Sequence, residues 1–146
     1  MNNVILLIED NPTDEKLTLR AFQKSNVENQ IEVVRDGAEA IRYLCGPPAA
    51  GEALNALPAV VLLDLNLPLV SGLDVLQRIR TSERTKLLPV VILTASREEE
   101  DIVNGYLFGA NAYIRKPVDF AEFVQAARTL GLFWVLLNER AGPGPH

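Results

Sequence analysis

The sequence predicts a doubly wound α/β domain, a five-stranded parallel sheet with five helices on its two faces. Three observations lead there. Short β-branched apolar runs alternate with longer amphipathic stretches along the chain. Most of those runs are solidly apolar rather than alternating, which is how strands read when both faces of a sheet are covered. The connections are short, and right-handed crossovers then leave few other topologies.

Val4-Ile5-Leu6-Leu7-Ile8 reads as the first strand. Asn11 follows as an N-cap with Pro12 at the first helical position, and the helix carries Leu17, Leu19, Ala21 and Phe22 as its apolar residues. Ile31-Glu32-Val33-Val34 alternates, as an edge strand does. A second helix is predicted from Gly37 to Leu44, and the longest loop surrounds Pro47, Pro48 and Gly51. Ala59 to Leu63 is the third strand; Ser71-Gly72 opens a helix with Leu73, Val75, Leu76 and Ile79, ending near Ser82. Val90 to Leu93 is the fourth strand, and a helix is predicted over roughly 98–108, with Glu98-Glu99-Glu100-Asp101 as its acidic first turn. Ala112-Tyr113-Ile114 is the fifth strand, and the last helix begins just after Pro117.

Composition bounds the function. The 146 residues suit one domain, and 48% hydrophobic with 23% charged residues is ordinary for a globular protein rather than a disordered one. A net charge of −5 argues against direct nucleic-acid binding, which needs cations for phosphates. The single cysteine, Cys45, excludes an internal disulfide framework and suits a reducing cytoplasm; it reads as a small buried hydrophobe at a helix end. The run Val4–Ile8 is too short for a signal-peptide core, and no stretch approaches the roughly 20 apolar residues that span a bilayer.

In a doubly wound sheet, ligands sit beyond the carboxyl ends of the strands. The residues ending the runs are Glu9 and Asp10, Asp64, Thr94 and Lys116, so three carboxylates, a hydroxyl and an ammonium converge on one rim. Crowded carboxylates repel, and a hard cation such as Mg²⁺ relieves them while completing its shell with phosphate oxygens and water. Asp64 at a strand end is placed to be a nucleophile toward a phosphoryl group, with Lys116 and Thr94 as partners for its oxygens. Any one of these residues alone has a plain structural reading: a helix N-terminus, a turn acid, a strand-end hydroxyl.

Taken together, Ile8-Glu9-Asp10-Asn11-Pro12, Leu63-Asp64-Leu65-Asn66-Leu67-Pro68, Ser71-Gly72, Leu93-Thr94-Ala95, Gly109-Ala110 and Lys116-Pro117 resemble the response-regulator receiver family, the family of the chemotaxis-type regulators. Tyr113-Ile114-Arg115-Lys116-Pro117-Val118-Asp119 and Phe133-Trp134 are similar, more narrowly, to the single-domain regulators paired with bacterial and cyanobacterial phytochromes. The resemblance implies a flavodoxin-like receiver fold over 1–130, followed by a helical extension and frayed tail at 131–146 with no output domain. It implies a two-component phosphorelay signalling protein, not an enzyme beyond its own phosphotransfer and dephosphorylation. Asp64 would accept the phosphoryl group from a sensor histidine kinase, of phytochrome type by the narrower likeness. Mg²⁺ would be held by Asp10, Asp64 and the backbone carbonyl of Asn66, with Glu9 acting directly or through water. Thr94 and Lys116 would bind the phosphoryl group, Tyr113 would turn inward as the switch aromatic, and the Lys116–Pro117 peptide would be cis. The signal would pass to the face made by the predicted helix at 98–108, the fifth strand and the last helix. Asn66 and Ser96 take the positions that set how readily water attacks the acyl phosphate.

Projected on a helix, Phe120, Phe123, Val124, Ala127, Leu130 and Trp134 form one stripe, the core face. Leu132, Phe133, Leu136 and Leu137 fall on other faces, so the last turns are apolar nearly all round and need burial; a homodimer contact is the reading, a fold-back at Gly131 its alternative. Two other functions compete. An aspartate-nucleophile phosphatase would carry a second Asp where this chain has Asn66. A constitutive protein-binding pseudo-receiver would not need the full acid pocket.

Overall fold

The strands build the expected sheet. The computed structural model describes residues 4–24, 29–46, 56–95 and 112–129. Its elements in chain order are β1 (Ile5–Ile8), α1 (Pro12–Lys24), β2 (Ile31–Val34), α2 (Gly37–Leu44), β3 (Val60–Asp64), α3 (Gly72–Thr81), β4 (Val90–Thr94), β5 (Ala112–Arg115) and a last helix, α4 (Phe120–Thr129). All neighbouring strands are parallel, in the order β2-β1-β3-β4-β5. The predicted helix at 98–108 and the extension at 131–146 lie outside the described residues, so four of the five predicted helices are seen. Among the described residues, no helix is long and apolar enough to cross a membrane.

Every residue of β1, β3 and β4 is buried, which is why those runs are solidly apolar, while the alternating β2 is half-buried at the sheet edge. Successive side chains on a strand point to opposite faces. Leu6, Ile8, Val61, Leu63 and Ile92 therefore pack with Leu44, Leu76 and Ile79 under α2 and α3. Ile5, Leu7, Leu62, Leu93 and Ile114 pack with Phe22 and Phe123 under α1 and α4. On that second face Phe22 meets Phe120 and Phe123 edge-on, with centroids 6.3 and 4.7 Å apart, tying α1 to the segment after β5.

Helix starts follow local chemistry. Asn11 Oδ1 accepts from the N–H groups of Thr13 and Asp14 at 2.8 and 3.0 Å, capping α1 ahead of Pro12. Asp36 caps α2 through Glu39 N–H. Ser71 and Asp74 form a reciprocal capping box on α3. Leu17 is 40% exposed, whereas α1 buries Thr18 and Phe22. These two lie four residues apart, on one face of a 3.6-residue helix, and Leu17 is rotated about 100° from Thr18. Leu17 lines a groove of about 350 Å³ between α1 and the start of α4, with Arg20, Lys24, Pro117 and Phe120. Cys45 is half-buried at the end of α2, its Sγ 3.6 Å from Thr85 Oγ1.

Candidate functional site

Strand parity assembles the site. Asp64 ends β3 with the parity of Val60 and Leu62, the residues facing α1 and α4. The ladders of β1 and β5 each continue one step, Glu9 N–H donating to Val34 O at 3.0 Å and Lys116 N–H to Thr94 O at 2.8 Å. Glu9 and Lys116 thus take the parity of Ile5, Leu7 and Ile114 and come to the same face. The first turn of α1 stands over that face and brings Asp14 with it.

The result is an ammonium among carboxylates. Lys116 Nζ lies 3.0 Å from Asp14 Oδ2, 3.2 Å from Asp64 Oδ2 and 3.7 Å from Glu9 Oε1. Glu9 and Asp64 are buried, Asp10 is exposed, and one oxygen from each of the three falls within 4.8 Å of the others. Asp64 Oδ1 accepts from the Asn66 N–H at 3.1 Å, which fixes the carboxylate against its own loop. Glu9 Oε2 accepts from the Asn11 N–H at 3.3 Å, while Glu9 Oε1 is buried with no hydrogen-bond donor among the described residues. Thr94 is buried at the end of β4, and its Oγ1 has no hydrogen-bond partner among the described residues. Tyr113 is half-buried against the core under α2 and α3, and the Lys116–Pro117 peptide is cis.

Charge crowding shows in the proton affinities. Burial, a hydrogen bond shared with Asp64 and the Asp64 charge push Glu9 from 4.5 up to about 8, against a smaller pull from Lys116 and the Asn11 N–H. The Lys116 pKa is raised: burial works against the ammonium, but the Asp14 hydrogen bond and the charges of Asp64 and Glu9 outweigh it. A carboxyl whose pKa is raised on folding keeps a proton that the unfolded chain has lost. Glu9 therefore costs the metal-free fold stability as pH rises from about 4.5 through about 8. Urea unfolding in EDTA should show the parent losing stability between about pH 6 and 8.5, with that part of the slope absent in Glu9→Gln. An identical slope in the two proteins would sink the assignment.

The donor set suits a hard divalent cation. Three carboxylates surround one ammonium, Glu9, Asp10 and Asp64 offer oxygen ligands within reach of one another, and the buried Glu9 Oε1 accepts no hydrogen bond among the described residues. The strand-end reasoning pointed to Glu9, Asp10, Asp64, Thr94 and Lys116, and these residues end their strands on one rim. It missed Asp14, which ends no strand and lies instead in the first turn of α1. The signal available was its spacing four residues after Asp10, one helical turn along the face that Asp10 precedes.

Comparison with known proteins gives a consistent result. The family model of the response regulator receiver domain matches residues 5–128. The bacteriophytochrome response regulator AtBRR is similar in structure, with 48% identity and a TM-score of 0.84 over 94% of this chain and 99% of its own. The probable methanogenesis regulatory protein FilR2 of Methanothrix harundinacea is 38% identical, covering 96% of this chain and 88% of its own. Response regulator Rcp1 of Synechocystis is 33% identical over 90% of this chain and 88% of its own. The Mn²⁺-bound form of Rcp1 superposes with a TM-score of 0.68 at 31% identity, over 91% of this chain and 94% of that one.

Proposed function

Because the chain belongs to the response regulator receiver family, we propose that it takes a phosphoryl group onto Asp64 from a sensor histidine kinase and signals through a protein partner. The observation that carries this reading is the buried Asp64 carboxylate held 3.2 Å from the Lys116 ammonium, beside Glu9, at the end of β3. An Asp64 oxygen forms the new P–O bond as the P–N bond of a phosphohistidine breaks, and the imidazole leaves with the electron pair and takes a proton from solvent. The Asn66 N–H holds the other Asp64 oxygen, so the nucleophile does not need to be oriented at the moment of reaction. Lys116 is already beside the acceptor and turns from its carboxylate to the incoming phosphoryl oxygens.

Glu9, Asp10, Asp64 and the Asn66 carbonyl would hold Mg²⁺, which when bound supplies charge neutralisation to the phosphoryl oxygens. Thr94 has a hydroxyl with no other hydrogen-bond partner among the described residues, and so is free to donate to the phosphoryl group. Its displacement opens a place for Tyr113 on the neighbouring strand, where Ile92 pairs with Tyr113 and Thr94 with Arg115. That couples the new charge, about −1.5 to −2, to the outer face of β5 and α4. The kinase is of phytochrome type, in keeping with the likeness to AtBRR, a bacteriophytochrome response regulator. Leu132, Phe133, Leu136 and Leu137, outside the described residues, supply a homodimer contact; a monomeric mass by light scattering at micromolar concentration would overturn that part.

The test is intact mass after incubation with Mg²⁺ and acetyl phosphate. The protein should gain one phosphoryl group, and EDTA should prevent the gain. No gain by folded protein would leave the constitutive binding module as the better reading.

A further inference from the structure

Leu69 stands in the loop between β3 and α3, five residues after Asp64, and is the one non-glycine among the described residues with a positive φ, 63°. The Val70 N–H donates to the Pro68 carbonyl at 2.7 Å, so Leu69 is the centre of a γ-turn of the positive-φ, strained kind. Its side chain is wholly exposed, at 102%. An exposed leucine alone needs no explanation. A leucine exposed where the backbone disfavours every side chain but those of glycine and asparagine does.

Packing explains the turn but not the residue. Val70 is pressed against the core under α2 and α3, and its carbonyl lies against Gly37 where any Cβ would collide. Gly72 N–H closes the loop onto Leu65 O at 3.0 Å. Those contacts force a tight reversal at 68–70, and glycine or asparagine would make it with less strain. The leucine side chain adds nothing to the fold, since it touches solvent.

The loop tip lies on the rim where a phosphoryl donor must arrive. Five residues of chain reach at most about 18 Å from Asp64, and the Gly72–Leu65 hydrogen bond folds the loop back well inside that. A helix is about 10–12 Å across with its side chains, so a helical surface presenting a phosphohistidine to Asp64 covers the tip as well. Pro68 is exposed next to Leu69, and together they make an apolar knob on a rim otherwise rich in carboxylates. A small-molecule donor reaches Asp64 without touching it.

We propose that Leu69 is a docking residue for the helical surface of the phosphohistidine protein, an inference that rests on Asp64 being the phosphoacceptor. Phosphotransfer to Leu69→Gly and Leu69→Asn is timed from two donors: acetyl phosphate, and a purified bacteriophytochrome histidine kinase that phosphorylates the parent chain. Both substitutions keep the positive-φ turn, so they remove the side chain and spare the loop. Burying a leucine is worth enough that kcat/KM from the kinase should fall about tenfold or more, while the rate from acetyl phosphate stays at the parental value. Parental rates from the kinase in both variants would overturn the proposal. Equal slowing with both donors would overturn it too, because the loop would then be acting on the acceptor itself. If the parent took no phosphoryl group from acetyl phosphate, the phosphoacceptor reading would fall and this contact with it, so the two failures are told apart.

Discussion

Asp64→Asn should abolish phosphorylation by acetyl phosphate while leaving the protein folded. The amide has nearly the shape of the carboxylate, and its oxygen can go on accepting the Asn66 N–H that Asp64 Oδ1 accepts at 3.1 Å. It cannot act as the nucleophile, because an amide oxygen carries no full negative charge to form the P–O bond. The fold survives because Lys116 keeps Asp14 at 3.0 Å and Glu9 at 3.7 Å when the 3.2 Å contact to Asp64 is lost. Removing one of the crowded acids also removes the hydrogen bond and the charge that, after burial, raise Glu9, so the Glu9 pKa should fall in the variant. Intact mass and a urea melt on the same preparation check both halves. A parental yield of phosphoprotein from Asp64→Asn would place the acceptor elsewhere and end this account of the site.

Gly72→Ala is the second large effect, and it acts through shape. An ideal Cβ at Gly72 would stand 2.5 Å from Asp64 O, 2.7 Å from Leu65 Cα and 2.8 Å from Leu65 O. All three are backbone atoms, so no side-chain rotation relieves the clash. Either α3 lifts from its Ser71 cap or the end of β3 shifts, and Asp64 moves with the latter. Such overpacking should cost about 3 kcal/mol, lowering the melting midpoint by roughly 10 °C for a domain of this size. Acetyl phosphate labelling should also slow at temperatures where the variant is still folded, because the Asp64 carbonyl sits in the clash. Stability within about 0.5 kcal/mol of the parent would show that the loop yields freely, and the close approach would then carry no weight.

Much of this molecule is legible in local sequence. Strands β1, β3 and β4 stand out because a strand covered on both faces has no reason to carry a polar residue until it ends, so Asp64 and Thr94 mark the ends of β3 and β4. Helix starts are equally local: Asn11-Pro12, Asp36-Gly37 and Ser71-Gly72 supply caps within three residues of the groups they satisfy. The rim of strand-end residues follows from those two facts and from the rule that ligands sit beyond the strand ends.

Other features are set at long range. The pairing of Lys116 with Asp14 spans 102 residues and exists only because the Phe22–Phe120–Phe123 contacts seat α1 over the end of β5. Thr18 is buried and Leu17 exposed because the direction in which α1 faces is decided by the sheet beneath it, not by its own composition. The proton on Glu9 depends on the nearness of Asp64 and on exclusion of water, and neither is visible in two acids following a strand. The positive φ of Leu69 is imposed by Val70 against Gly37, two segments that meet only when α2 and α3 share one face of the sheet. Capping, patterning and the identity of the acids are local and are written in the chain; which side chains meet across the sheet, at what distance and in what protonation state, depends on packing that only the folded arrangement supplies.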